Sequence, residues 1–191
     1  MGSCTKTCIF TIGHSNHPWD KFAALLQTAD IRALVDVRSY PRSRFAHFNQ
    51  APLMARLAEL DIDYLHLGNE LGGRSEAGNT FDYEVIATSP RFSEALTRAA
   101  EIAGKQRTVL MCSEHEPLTC HRCLLLGRSL AERGIAVRHI LRDGCIEPHA
   151  QTEDRLLAIT GKKTADLLAA PAERIALAYS VQVQALRRKA K

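Results

Sequence analysis

Residues 107–126 read RTVLMCSEHEPLTCHRCLLL, and the fold turns on how this stretch is parsed. Val109, Leu110 and Met111 form an apolar run short enough for a buried strand. Cys123 through Leu130 has the look of a helix. Between the two lie Cys112, Glu114, His115, Cys120, His121 and Arg122, six groups able to ionise, ligate a metal or hold an anion within eleven residues. In an open α/β sheet, loops at the carboxyl ends of strands are where ligands bind. Thr119 is the expected N-cap. That would place Cys120, His121 and Arg122 in the first helical turn, where free N–H groups and the dipole favour anions and thiolates.

Outward from this stretch the chain alternates strands and helices. Residues 8–12, 33–37, 62–67, 109–111 and 135–140 read as five short strands, with helices between them opening at Pro18, Pro52 and Pro90. Ser89 is the expected cap before Pro90. The spacing predicts an α/β, Rossmann-like three-layer sandwich with a mainly parallel five-stranded sheet and a C-terminal helical segment. Residues 1–150 form the α/β domain, and residues 151–191 a helical extension packed on it. There, residues 152–155 resemble a cap with acidic first-turn residues, Gly161 separates two short helices, and a last helix begins at Pro171 or Ala172.

The polar residues after each strand then share one sheet edge. His14 and Ser15 follow the first strand, Asp36 and Arg38 the second, Glu70 and Arg74 the third, and Arg142 and Asp143 the fifth. The loop from Arg38 to Phe45 mixes arginines with aromatics, a combination suited to a phosphate- or base-bearing ligand. Residues 68–74, GNELGGR, lack the Gly-Lys-Ser/Thr ending of a P-loop.

Composition narrows the class. The chain has 191 residues, 46% hydrophobic and 24% charged, as in an ordinary soluble globular protein. Its net charge of +4 owes much to Arg187, Arg188, Lys189 and Lys191 at the end, which permits a nucleic-acid partner without demanding one. No stretch suits a membrane span or a signal peptide, so a cytoplasmic protein without membrane association is expected. The six cysteines then read as thiols or ligands, not as a disulfide framework.

Several segments resemble the family known as domain of unknown function 488. They are residues 11–16 (TIGHSN), 36–43 (DVRSYPRS), 67–68 with 71–73, and Cys112-Ser113-Glu114 with Cys120-His121-Arg122. The resemblance spans residues 9–139 and implies an α/β fold with these loops gathered at one site. It supplies no activity.

Three chemistries compete at that site. The first is an enzyme in which Cys120 is a thiolate nucleophile, with His121, Glu114, His14 and Asp36 as acid, base or positioning groups. Ser15, Arg38, Arg42, Arg74 and Arg122 would hold an anionic, nucleotide-like substrate. The second is a metal site of Cys112, Glu114, Cys120 and His121, whose ligand types suit zinc or iron. Against it, the eight-residue separation of the cysteines matches no established finger, and neighbours Cys120 and His121 would diverge on a helix. The third is redox, since Cys120 and Cys123 form a C-x-x-C. A nucleic-acid-associated or metal-binding module without catalysis is the alternative to an enzyme.

Overall fold

Alternation within each strand builds the three layers. A computed structural model describes residues 7–74, 82–162 and 170–189. Its strands are β1 (Cys8–Gly13), β2 (Ala33–Asp36), β3 (Asp63–His66), β4 (Thr108–Cys112), β5 (Ala136–Ile140) and β6 (Ile146–Pro148). They form one sheet in the order β3-β2-β4-β1-β5-β6. The first five are parallel, and β6 runs antiparallel to β5. Successive strand residues face opposite sides of a sheet. Accordingly Val109 and Met111 of β4 enter one apolar cluster with Phe10 and Ile12, while Leu110 and Cys112 enter the other with Ile9.

The helices supply the outer layers. Helices α1 (Trp19–Thr28) and α2 (Gln50–Ala58) cover the first face with Phe22, Leu26, Leu53 and Leu57. Two short helices, α3 (Gly68–Leu71) and α4 (Tyr83–Ala87), precede α5 (Pro90–Lys105). The second face carries α5, then α6 (Arg128–Glu132), α7 (His149–Ile159) and α8 (Pro171–Lys189), through Phe92, Leu96, Leu130, Leu156 and Tyr179. Each fully buried side chain of this size contributes about 1.5–3 kcal/mol relative to exposure. Among the described residues no helix is long and apolar enough to cross a membrane.

The α/β architecture and mainly parallel sheet agree with the sequence reading, but three local expectations do not. A sixth strand follows β5, turned back through Gly144, whose φ of 97° suits only glycine comfortably. Helix α7 starts at His149, so Thr152 lies inside it and donates to Glu147 Oε1 at 2.6 Å. Ser89 does occupy the cap of α5 with an extended backbone, though it makes no side-chain cap hydrogen bond. Thr119 is not the cap of the Cys120 helix: it ends a 3₁₀ turn, Pro117–Thr119, and its hydroxyl donates to Glu116 O. The short helix expected after Gly161 and the cysteine Cys4 lie outside the described residues.

Candidate functional site

Sheet order, more than sequence order, assembles the site. Strand β4 lies between β2 and β1, with Gly13 in register with Cys112 and Asp36 with Met111. The pairing runs on past the strand ends: His14 N–H donates to Cys112 O (2.9 Å), Ser15 N–H to Ser113 O (2.8 Å) and Val37 N–H to Met111 O (3.0 Å). Parallel strands end at one edge, so the loops after β1, β2 and β4 meet there. Gly13 permits the closest approach, because a Cβ at that position would sit 1.7 Å from Glu114 O.

Two thiols, a carboxylate and an imidazole converge at the end of β4. Cys112 Sγ lies 3.0 Å and Cys120 Sγ 3.2 Å from Glu114 Oε2. His121 Nδ1 is 3.5 Å from Cys112 Sγ and 3.7 Å from Cys120 Sγ. The outer nitrogen of His121, Nε2, is 3.1 Å from Val37 O, which can only accept, so the hydrogen on Nε2 is fixed. Cys120 and His121 converge, contrary to the helical expectation, because Cys120 has an extended backbone (φ −130°, ψ 143°) and closes the 3₁₀ turn ahead of the helical segment. Its sulfur accepts from Arg122 N–H at 3.5 Å and its carbonyl from Cys123 and Leu124. The residues that follow, Arg122–Gly127, form a π-helical turn, a widened geometry common at functional sites.

The electrostatics separate the two sulfurs. Burial raises both thiols, but hydrogen bonding from Cys112, the His121 imidazole and Arg122 outweigh it at Cys120, which is held well below the usual thiol range. Cys112 is pushed well up, by burial and by its hydrogen bond to Cys120. His121, despite burial, is raised by the neighbouring Cys120 thiolate. Enclosure and then Cys120 raise Glu114, although much of that residue's surface is open to solvent. A Cys120 thiolate cannot donate to Glu114 Oε2. Ionisation of the sulfur therefore leaves the proton on the carboxyl or on the imidazole.

The β2 exit is occupied by a closed ion pair. Asp36 accepts from Arg38 Nε at 2.9 Å, from Nη2 at 2.6 Å and from Tyr64 Oη–H at 2.9 Å. Arg38 Nη1 donates to Phe48 O (2.8 Å) and faces His14 Nε2 (3.3 Å). Side-chain exposures of 3% and 0% make this pair part of the interior. His14 stacks on Phe48 with ring centroids 4.3 Å apart, and its Nδ1 is 2.9 Å from Ser15 O. Arg122 is likewise interior, fully buried and donating to the carbonyls of Glu114 and His115. Its guanidinium ties the loop to the helix.

Two adjoining concavities open at this edge. One, of about 360 Å³, has Cys112, Glu114, Cys120 and His121 along its wall and Arg38, Arg42 and Arg74 around it, with Tyr40, Gly73 and Tyr83. The other, about 590 Å³, holds His14, Ser15, Arg44 and Arg142. They share Arg42, Ser113 and Glu114. Asp36 and Arg122 line neither. Arg42 and Arg74 are exposed, and the Arg74 guanidinium lies 5.4 Å over the Tyr40 ring. Tyr40, Tyr83 and Ser39 were not singled out as site residues in the sequence. Tyr40 was legible within the Arg-aromatic loop, whereas Tyr83 arrives from a short helix with no motif of its own.

Two buried triads could hold a metal ion: Cys112, Cys120 and His121 at this site, and Cys123, His139 and His149 deeper in the molecule. The expected C-x-x-C is thus divided, its first cysteine grouped with Cys112 and its second with two histidines.

The fold and this edge define an α/β protein with a polar, thiol-bearing cleft. The chain belongs to the family described as domain of unknown function DUF488, whose profile matches residues 18–128. The match contains the Asp36–Arg38 pair and the Cys112–Arg122 loop, and His14 precedes it. No curated protein and no solved structure matches the chain.

Proposed function

We propose that this protein is a thiol-dependent enzyme acting on an anionic, nucleotide-like substrate. The observation that carries the reading is Cys120, set in the cleft wall beside His121 Nδ1 and Glu114 Oε2. The thiolate is the nucleophile, and His121 or Glu114 takes its proton. Arg42 and Arg74, exposed on the rim, hold the anion, and the Tyr40 ring, 66% exposed, offers a face to a base. Arg38, Asp36 and Arg122 position the loops instead of touching substrate. The cleft volume is within the range of small-molecule sites, about 300–1,000 Å³.

The test is alkylation of Cys120 by iodoacetamide across pH, located by peptide mapping, with Cys112→Ser as control. An apparent pKa clearly below the ordinary value of about 8.5 is expected. Inorganic phosphate should slow the reaction, and Arg42→Ala with Arg74→Ala should remove that protection. A Cys120 that stays inert until the protein unfolds overturns the reading.

A second reading has its own support. Cys112 Sγ, Cys120 Sγ and His121 Nδ1 all lie within 4.8 Å of one another, and the Val37 carbonyl holds the other ring nitrogen as an outer partner of a metal-ligating histidine would. Zinc or iron suits these donors, with Glu114 adjacent. Protection of Cys120 that a chelator abolishes would favour this reading.

A further inference from the structure

We propose that Cys123, His139 and His149 form a buried zinc site, separate from the cleft. The three come from three elements: Cys123 from the π-helical turn, His139 from β5 and His149 from the start of α7. All are interior, at 0%, 0% and 5% exposure, and one ligand atom from each lies within 4.8 Å of the other two.

The surroundings of the two rings argue for a cation over a chance cluster. His139 Nε2 and His149 Nδ1 face each other at 2.9 Å. The outer nitrogen of each ring meets an oxygen that can accept: His139 Nδ1 is 2.7 Å from Thr11 Oγ1, and His149 Nε2 is 3.1 Å from Tyr179 Oη. Tyr179 in turn donates to Glu153 Oε1 at 3.0 Å. With both outer nitrogens protonated, both inner nitrogens carry lone pairs, and the three residues hold their ligand atoms within 4.8 Å of one another. Metal-ligating histidines are held in this way, by an oxygen on the far nitrogen. Gly127 makes room, since a Cβ there would stand 3.0 Å from His149 Cε1.

One sulfur and two imidazole nitrogens are donors suited to zinc, and they leave one tetrahedral position for water. Binding converts the Cys123 thiol to a thiolate and releases its proton to solvent. The ion, thiolate and two neutral rings carry one net positive charge, which Glu153, linked through Tyr179, faces. The bound ion would join the helix after the cysteine loop to β5 and α7, and through Tyr179 to α8.

Elemental analysis of the untagged chain decides the matter. The Cys112→Ser/Cys120→Ser double variant, which lacks the cleft thiols, should retain about one equivalent of zinc. His149→Gln should lose it. Tyr179→Phe keeps all three donors and only frees the outer nitrogen of His149. It should weaken Zn²⁺ binding by about 10–100-fold, read by chelator competition. Co²⁺ added to the demetallated double variant should give the visible and near-ultraviolet bands of a tetrahedral thiolate complex. A folded double variant that binds neither Zn²⁺ nor Co²⁺ overturns the proposal and leaves a hydrogen-bonded chain from Thr11 to Glu153. So does copper in place of zinc, or metal that follows Cys112 and Cys120 instead of Cys123 and His149. An empty Cys123 site leaves the alkylation of Cys120 untouched, so the enzyme reading stands or falls separately, whereas metal that follows Cys112 and Cys120 supports the metal reading of the cleft.

Discussion

Arg38 and Arg42 are four residues apart in one loop, and their fates differ. Arg38 is closed over Asp36, and removing it would leave a buried carboxylate without its countercharge. Breaking such a pair costs about 3–5 kcal/mol, because the remaining charge stays desolvated. Arg38→Ala should therefore lower unfolding stability by about that much in urea titration. Arg42→Ala, at an exposed site, should change stability by less than about 0.5 kcal/mol. It should weaken phosphate binding by about 1–3 kcal/mol, the worth of a charged hydrogen bond. Equal, small stability effects at the two positions would show that Arg38 is not structural. The sequence named both arginines but could not rank them. What buries Arg38 is its set of acceptors, Asp36, Phe48 O and His14, and two of these come from distant segments.

At the scale of elements, apolar period and proline position revealed the main strands and the starts of α1, α5 and α8, whereas α2 begins at Gln50, ahead of the expected Pro52. Irregular backbone was less visible. The Asp143-Gly144 turn was a readable hairpin signal, yet β6 is only three residues long and carries no alternation to support it. The extended Cys120 and the π-helical turn leave no trace in residue type, since both depend on how the loop meets Arg122 and β4. The glycines of residues 68–73 were legible as special, and the structure supplies the reason. None of them has positive φ. Gly68 instead lets α3 press on the β2 exit: a Cβ there would stand 1.8 Å from Arg38 O, a backbone atom that cannot swing aside. Gly68→Ala should destabilise by at least the 1–3 kcal/mol typical of overpacking. Gly104→Ala, within α5 with no atom within 4 Å of its would-be Cβ, should stabilise by about 0.5–1 kcal/mol. Thermal melts of both variants check the pair, and a neutral Gly68→Ala would mean that α3 can lift away freely.

For the whole molecule, a mainly parallel sheet was legible from the alternation of strands and helices, but strand order was not. No residue announces that β4 inserts between β2 and β1, and that insertion brings His14, Asp36 and Cys112 to one edge. It also gives the protein a signed response to pH. His14 is lowered to about 4, by burial first and by Arg38 second, so it stays neutral in the native state. Its geometry agrees: Nδ1–H can donate to Ser15 O while Nε2 accepts from Arg38. Unfolding restores an ordinary pKa near 6.5. Between that value and about 4 the unfolded chain binds more protons, so stability falls as pH drops across the window. At about 1.4 kcal/mol per pH unit, this one ring accounts for roughly 3 kcal/mol. His139 and His149, both lowered by burial, act in the same direction. His121 acts oppositely: the Cys120 thiolate raises it, so its contribution is full below about 6.5 and is lost as pH rises through its native value. Acidification from pH 7 to 4 should therefore destabilise the wild type. His14→Gln should flatten that dependence by roughly 3 kcal/mol, whatever the variant costs at pH 7. Urea unfolding at pH 7, 5.5 and 4 measures both slopes, and parallel slopes in the two proteins would mean that His14 is protonated in the folded state.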